Sequence, residues 1–245
     1  MKVIAFAIAA AMLNASAFAQ PTTAPATAPQ PENMTVGRVQ GGTMARRFLE
    51  LHQQYVDRAK QGDIDVVFLG DSITQKWRDA PDVWKERFEP LKAVNFGVMG
   101  NVIQHVLWRV EHGELDGISP KVVVLLIGTN NSGRKEPAPI VVGIRHLIDV
   151  IHQKCPKTKV LLMAIFPRDK PDQANQTRII NEVNPELAKL DNGASVRFLN
   201  INDKFVDEKG QLRAELFADR LHPNPAGYEV WADAMMPLLT EMLKD

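Results

Sequence analysis

Short, continuously apolar runs alternate with longer amphipathic runs over most of this chain. The apolar runs have the length and β-branched content of strands covered on both faces, and they span 64–69, 93–96, 122–127, 160–164 and 196–199. The amphipathic runs predict helices over 44–60, 83–88, 102–111, 140–153, 177–190 and 226–243. This alternation predicts an α/β fold with a five-stranded parallel sheet between two helical layers, a three-layer α/β/α sandwich.

The N-terminal residues have a different pattern, which is typical of an export signal. Lys2 precedes an apolar stretch over residues 3–13, and the small-x-small sequence Ala17-Phe18-Ala19 follows. A short buried helix and a membrane anchor are the alternatives, but the stretch is short for a membrane span and no cysteine directly follows to carry a lipid. We therefore predict a signal peptide over residues 1–19 and an exported, periplasmic or extracellular protein.

Composition narrows the remaining classes of function. The 29 Lys and Arg balance the 29 Asp and Glu, so no net positive field attracts nucleic acid or an anionic membrane. The single cysteine, Cys155, excludes an intramolecular disulfide. Residues 20–33, rich in Pro, Thr and Ala, predict a flexible leader, and residues 34–245 predict one globular domain. Nucleic acid and stable membrane insertion are not expected.

A serine follows the first predicted strand in the sequence Leu69-Gly70-Asp71-Ser72-Ile73. Ligands of parallel α/β sheets bind beyond the carboxyl ends of the strands, so Ser72 would emerge at the functional edge. Free N–H groups at the start of the next helix would favour an oxyanion attached to this serine. The alternative is that Asp71 or Ser72 only caps that helix.

A serine nucleophile needs a neighbouring base, normally a histidine held by a carboxylate. His52, His105, His112, His146 and His152 lie in or at the end of helical patterns, where packing or surface roles are the better interpretation. His222 instead lies in a loop, three residues after Asp219 and ahead of the last helix. An Asp and a His placed in a polar loop by chance is the alternative. Taken together with Ser72, the pair predicts a catalytic triad.

Two further loops at strand ends offer donors for an oxyanion. Gly97-Val98-Met99-Gly100-Asn101 follows the second strand, and a glycine at position 100 lets its N–H approach a substrate closely, although a tight turn explains it equally well. Gly128-Thr129-Asn130-Asn131 follows the third strand and delivers an amide side chain to the same edge. The candidate oxyanion hole is therefore the N–H of Ser72, the N–H of Gly100 and the side chain of Asn130.

These four blocks, in this chain order, resemble the SGNH (GDSL) hydrolase family, whose name gives Ser, Gly, Asn and His. Within it the chain is similar to bacterial esterases related to the catalytic α subunits of platelet-activating factor acetylhydrolase type Ib, over residues 66–239. The motifs that carry this likeness are Asn95-Phe96-Gly97, His105-Val106-Leu107-Trp108-Arg109, Gly113-Glu114-Leu115, Gly128-Thr129-Asn130-Asn131 and Phe166-Pro167-Arg168.

The resemblance implies the flavodoxin-like SGNH hydrolase fold and a serine esterase that works through an acyl-enzyme, with no cofactor and no metal. It places Ser72, Asp219 and His222 in the triad, and Ser72, Gly100 and Asn130 in the oxyanion hole. The favoured substrate is a short-chain, acetyl ester of a carbohydrate. The alternatives are an acetylhydrolase of platelet-activating-factor-like or other acyl lipids, a polysaccharide O-acyltransferase and a non-catalytic binding protein. The resembled subunits form pairs, and the sequence leaves open whether this chain forms a homodimer.

Two departures from the resembled subunits bear on the substrate. They have Gly-x-Gly-Gly-Asp where this chain has Gly97-Val98-Met99-Gly100-Asn101, so Met99 and Asn101 are candidates for reshaping the acyl pocket. The block Leu221-His222-Pro223-Asn224-Pro225-Ala226-Gly227-Tyr228 resembles bacterial esterases more than the mammalian acetylhydrolases, which disfavours a phospholipid substrate. The tryptophans lie in helical patterns and favour the core, but Trp77, five residues after Ser72, is also a candidate for the rim of the cleft.

Overall fold

The structure, a computed structural model, describes residues 43–133, 136–169 and 173–244. The proposed signal peptide over 1–19 and the leader over 20–33 lie outside the described residues, so both remain predictions. Among the described residues, no helix has the length and apolar character needed to cross a bilayer.

A five-stranded, fully parallel sheet forms the centre of the fold. Its strands are β1 (Val66–Gly70), β2 (Ala93–Gly97), β3 (Val122–Leu126), β4 (Lys159–Met163) and β5 (Val196–Leu199), in the spatial order β2-β1-β3-β4-β5. All five match the predicted apolar runs to within two residues at each end. The predicted three-layer α/β fold is confirmed.

Seven α-helices precede, connect and follow the strands within the described residues. They are α1 (Thr43–Lys60), α2 (Ser72–Gln75), α3 (Pro81–Arg87), α4 (Ile103–Arg109), α5 (Ala138–Lys154), α6 (Ala174–Ala188) and α7 (Pro225–Lys244). The prediction of one regular helix over 102–111 is wrong at its end, because a wider π-type turn over Val110–Glu114 follows α4. Gly113 lies inside that turn at φ +109°, a conformation that ends a regular helix and that glycine adopts without steric cost.

The two faces of the sheet bury separate apolar cores. Because side chains alternate along a strand, Val67 and Leu69 pack with α4, α5 and α6, whereas Val66 and Phe68 pack with α7. The β1 and β3 strands are buried along their whole length, which is why their sequences are continuously apolar rather than alternating.

Trp77 lies in the second core and does not reach the cleft. Its side chain is fully buried, and its ring centroid lies 4.6 Å from that of Tyr228 and 4.8 Å from that of Trp231. Phe68 and Phe88 pack against it edge to face. The placement of Trp77 at the cleft rim is wrong, and the core interpretation is correct, since these rings exclude it from the sheet edge.

Two glycines let the short helix α2 lie directly on the strand ends. Gly70 and Gly97 are paired neighbours in the register of β1 and β2. A Cβ atom on Gly97 would clash with the backbone nitrogen of Gln75, and one on Gly70 would clash with the side chain of Thr74 in α2 and with the carbonyl oxygen of Leu126. Any side chain at either position would displace the turn that carries Ser72.

Candidate active site

Ser72 is the first residue of α2, at the carboxyl edge of the sheet as predicted. The carboxylate Oδ1 of Asp71 accepts a hydrogen bond of 2.9 Å from the N–H of Ile73 and so caps the helix. The Tyr228 hydroxyl donates to the carbonyl of Ile73 at 2.6 Å. The capping role, proposed as the alternative for this triplet, thus belongs to Asp71, and the hydroxyl of Ser72 is left for another partner.

That partner is His222, which lies 150 positions later in the chain. Ser72 Oγ is 2.8 Å from His222 Nε2, and His222 Nδ1 is 2.9 Å from Asp219 Oδ2 and 3.1 Å from Asp219 Oδ1. Ser72 and the ring of His222 are mostly buried, whereas Asp219 is more exposed. The structure therefore brings together all three residues of the predicted triad in one continuous chain of hydrogen bonds.

The carboxylate of Asp219 holds the loop from Asp219 to His222 in its turn. Asp219 Oδ1 accepts from the N–H of His222 at 2.8 Å and from that of Leu221 at 3.2 Å. Arg220 between them adopts φ +62°, an uncommon conformation for a residue with a side chain, and its Nε donates to the carbonyl of Asp169 at 2.7 Å. An ion pair between Arg220 and Asp169 ties the loop to the segment after β4.

The two predicted oxyanion loops meet at this edge of the sheet. The amide Nδ2 of Asn130 donates to the carbonyl of Asn101 at 2.8 Å, so the side chain from the β3 loop is fixed against the β2 loop. Gly100 adopts φ +67°, which favours glycine at this position. Asn131 is used differently, because its Oδ1 accepts from the N–H of Ile103 at 3.0 Å and its Nδ2 donates to Gln104 at 3.2 Å.

Met99 and Asn101, the two residues of the β2 loop that differ from the resembled subunits, lie in different environments. Met99 is exposed on 47% of its surface, and its N–H donates to Gln75 Oε1 at 3.2 Å. Asn101 is fully buried, and neither polar atom of its side chain has a hydrogen-bond partner among the described residues. Met99 therefore lies on the surface beside the loop, whereas the side chain of Asn101 lies beneath it, away from solvent.

Arg168 is a buried charge at this edge whose role the sequence analysis did not assign. Its Nη1 donates to the carbonyl and the hydroxyl of Thr129, both at 3.2 Å, and its Nη2 donates to Gln173. Asp71 and Asp219 both interact electrostatically with it. The signal was the motif Phe166-Pro167-Arg168, whose position after β4 leads to the same edge.

Burial dominates the electrostatics of Asp71, directly before Ser72. It raises the pKa of this carboxyl to about 7, and the hydrogen bond from the N–H of Ile73 opposes the rise. Attraction to Arg168 and Arg109 opposes it further but does not cancel it. Its second oxygen, Oδ2, is buried with no hydrogen-bond partner among the described residues.

The arrangement has the parts of nucleophilic acyl transfer. A hydroxyl, a histidine and a carboxylate are linked in the order that activates a serine, and two loops with a backbone donor and an amide donor lie at the same edge. In the parts of the chain that the structure describes, no group of three His, Cys, Asp or Glu residues is arranged to hold a metal ion.

Comparison with known proteins agrees with the motifs. The model of the GDSL-like lipase/acylhydrolase family matches residues 68–230. Human platelet-activating factor acetylhydrolase IB subunit alpha1 is 35% identical over 199 residues, covering 80% of this chain and 84% of the relative. These matches confirm the resemblance to the family.

Solved structures with the same fold are more distant in sequence. A GDSL-like lipase from Bacteroides thetaiotaomicron superposes with a TM-score of 0.65 at 20% identity, covering 78% of this chain and 97% of that one. A catalytic mutant of an acetylxylan esterase from Geobacillus stearothermophilus gives a TM-score of 0.53 at 20% identity, covering 72% and 93%. At such identities the likeness shows the shared fold.

Replacing Asp71 by Asn should stabilise the protein in a pH-dependent way. In the wild type, the folded state keeps the Asp71 proton up to about pH 7, whereas the unfolded chain loses it near its ordinary pKa of 3.8, so stability falls as pH rises between these values. Asn stays neutral and still accepts from the N–H of Ile73. We expect equal stability near pH 4 and a gain on the order of 2–4 kcal/mol at pH 8.

Urea unfolding of both proteins at a series of pH values measures this difference. A stability difference that does not change with pH, or an Asn variant that is less stable at pH 8, would contradict the raised pKa of Asp71.

Proposed function

This chain belongs to the GDSL-like lipase/acylhydrolase family and is a hydrolase acting on esters, and from that premise we propose that Ser72 is its nucleophile, His222 its general base and Asp219 the carboxylate that orients the base. The observation that carries the proposal is the 2.8 Å contact between Ser72 Oγ and His222 Nε2, backed by the 2.9 Å contact between His222 Nδ1 and Asp219.

In the proposed cycle His222 carries its resting proton on Nδ1 and shares it with Asp219 in a hydrogen bond, so Nε2 is free to accept the proton of Ser72. Ser72 Oγ attacks the ester carbonyl, and the imidazolium formed on His222 gives its proton to the departing alcohol. Water then attacks the acyl-enzyme with His222 again as the base, and the carboxylic acid leaves. Asp219 stabilises the charged imidazolium through both steps.

The oxyanion of each tetrahedral intermediate would accept hydrogen bonds from the N–H of Ser72, the N–H of Gly100 and the side chain of Asn130. Ser72 is at the N-terminus of α2, where backbone N–H groups are not used within the helix. The amide of Asn130 has two hydrogens, and the bond to the carbonyl of Asn101 uses one, so the other serves the oxyanion.

For the acyl group we favour acetate. The similar proteins whose names specify an acyl group are both acetyl-ester enzymes: the human relative is an acetylhydrolase and the structural neighbour from Geobacillus is an acetylxylan esterase. The rest of the substrate differs between the two names, which specify platelet-activating factor in the first and xylan in the second. The acetyl group is therefore the common element that supports this part of the proposal.

For the alcohol we favour a carbohydrate, met by an enzyme exported through the signal peptide predicted over residues 1–19. The block that follows His222, Pro223-Asn224-Pro225, is similar to that of bacterial esterases and supports this choice. The second candidate is an acyl-lipid acetylhydrolase, favoured by the 35% identity to the platelet-activating factor enzyme.

Replacing Ser72 by Ala should lower kcat for p-nitrophenyl acetate by at least about 10³-fold, since the acyl-enzyme can no longer form. Circular dichroism and urea unfolding should remain close to wild type, because the hydroxyl points to His222 and caps no helix. Ser195→Ala, at an exposed serine far along the chain, is the matched control and should keep full activity. Wild-type turnover in the Ser72 variant would reject Ser72 as the nucleophile.

Replacing Asn130 by Ala should lower kcat about 10²- to 10³-fold with little change in KM, because the lost donor acts on the intermediate rather than on the bound ester. The matched control is Asn181→Ala on the exposed face of α6. A rise in KM with an unchanged kcat would contradict the oxyanion role and would indicate that Asn130 binds the substrate instead.

Acetate release separates the two candidate substrates. With the Ser72 variant as the blank, we expect kcat/KM to be at least about tenfold higher for acetylated xylo- or chito-oligosaccharides than for an sn-2-acetyl ether phospholipid. A preference for the phospholipid would favour the second candidate. Adding an acceptor oligosaccharide and analysing the products identifies acyl transfer, which would appear as acetylated acceptor in place of free acetate.

A further inference from the structure

Two of the motifs that mark the family lie away from the triad and have no assigned role there. One ends at Arg109, the last residue of α4, and the other contains Glu114, at the end of the π-type turn. Both side chains are fully buried and form an ion pair, with Nη1 of Arg109 at 2.7 Å and 3.0 Å from the two oxygens of Glu114.

The backbone after α4 is shaped to make this contact. In an uninterrupted α-helix, residues five apart point about 140° away from each other around the axis. Here His112 and Gly113 leave helical geometry, and Gly113 at φ +109° brings the chain back so that Glu114 meets Arg109. His52 of α1 contacts the same carboxylate, with Nδ1 3.1 Å from Oε1.

Arg109 also donates to the ends of two strands through its two terminal nitrogens, whereas its Nε has no hydrogen-bond partner among the described residues. Nη1 donates to the carbonyl of Phe96 at 2.8 Å, and Nη2 donates to the carbonyl of Gly70 at 3.2 Å. Gly70 lies two residues before Ser72, and Phe96 lies four residues before Gly100. The carbonyl of Gly70 also accepts from the N–H of Val98 at 3.2 Å, so one acceptor joins both loops to the guanidinium.

Stability alone is a weak reason to bury such a pair. Desolvation of two charges consumes most of their attraction, and apolar replacements of buried ion pairs are often neutral or stabilising. A guanidinium, in contrast, offers several donors in one rigid plane, so it can hold two carbonyls at a fixed separation. The fixed separation here is that between the ends of β1 and β2.

We propose that Arg109, oriented by Glu114, is a positioning residue that sets the distance between the Ser72 turn and the Gly100 loop. It thereby aligns the backbone donors of the oxyanion hole with the nucleophile. This inference rests on the proposed function of Ser72 and Gly100. Other hydrogen bonds also join α2 to β2, including Asn95 Nδ2 to the carbonyl of Thr74 at 2.9 Å, so loss of Arg109 should shift the loops without unfolding them.

The test is the double variant Arg109→Met with Glu114→Gln, which removes both charges together and leaves no unpaired one. Active sites are titrated with a p-nitrophenyl phosphonate, and kcat and KM for p-nitrophenyl acetate are measured per titrated site. We expect kcat to fall on the order of 10²-fold with KM within about threefold of wild type, because the misplaced donors act on the intermediate.

Val110→Ala is the matched control, since Val110 is the next residue, is fully buried and has an apolar side chain that cannot donate a hydrogen bond to a carbonyl. It should lower the urea midpoint while keeping kcat within about twofold of wild type. Arg109→Lys keeps the charge but reaches only one carbonyl, and it should lower kcat about tenfold. This variant carries the test if the double variant does not fold.

A folded double variant or Lys variant that keeps kcat within about twofold of wild type, per titrated site, overturns the positioning role. The same assay includes Ser72→Ala. If that variant is inactive while the Arg109 variants are unaffected, only the inference about Arg109 fails. If the Ser72 variant keeps wild-type activity, the proposed function fails and the inference fails with it.

Discussion

The close approach of α2 to the ends of β1 and β2 is the constraint on which the site depends. Gly70 and Gly97 face each other in register, and the backbone of Gln75 fills the space that a side chain on Gly97 would need. This contact places the first turn of α2 directly on the sheet and fixes the position of Ser72 relative to the ends of the strands. His222 and the oxyanion loops then have a fixed target, although they come from distant parts of the sequence.

Much of the fold could be predicted because burial on both faces leaves a simple mark. Strands β1 and β3 are covered by helices on each side, so their sequences are continuously apolar, and their bounds follow within two residues. The end of α4 could not be predicted, because the π-type turn accompanies the Arg109–Glu114 contact, and this polar contact leaves no mark in the hydrophobic periodicity. Trp77 was ambiguous for a similar reason, since five residues of separation from Ser72 do not say which face of the sheet a ring enters.

The three residues of the proposed triad could be selected from the sequence because the chemistry of a serine nucleophile restricts residue type. A serine at a strand end, and one histidine outside helical patterns with an aspartate three residues earlier, leave few combinations. Arg109, Arg168 and Arg220 were harder, because each donates to at least one backbone carbonyl, and a carbonyl has no residue identity in the sequence. Their motifs were visible, but only the folded chain shows which strand ends they join.

Chemistry and substrate choice are carried by different parts of this edge. The turn that carries Ser72 is buried and is held by backbone contacts, so it tolerates little change. The proposed ester would approach from the exposed side of this edge, where Met99 is exposed on 47% of its surface. The residue at position 99 differs from the glycine of the resembled subunits without disturbing the Gln75 contact, which uses only its backbone N–H. A family built in this way can keep one acyl-transfer mechanism while its alcohol specificity changes. Ester hydrolysis therefore follows from the fold and the motifs. We expect the choice between sugar and lipid to depend on the residues of the exposed rim.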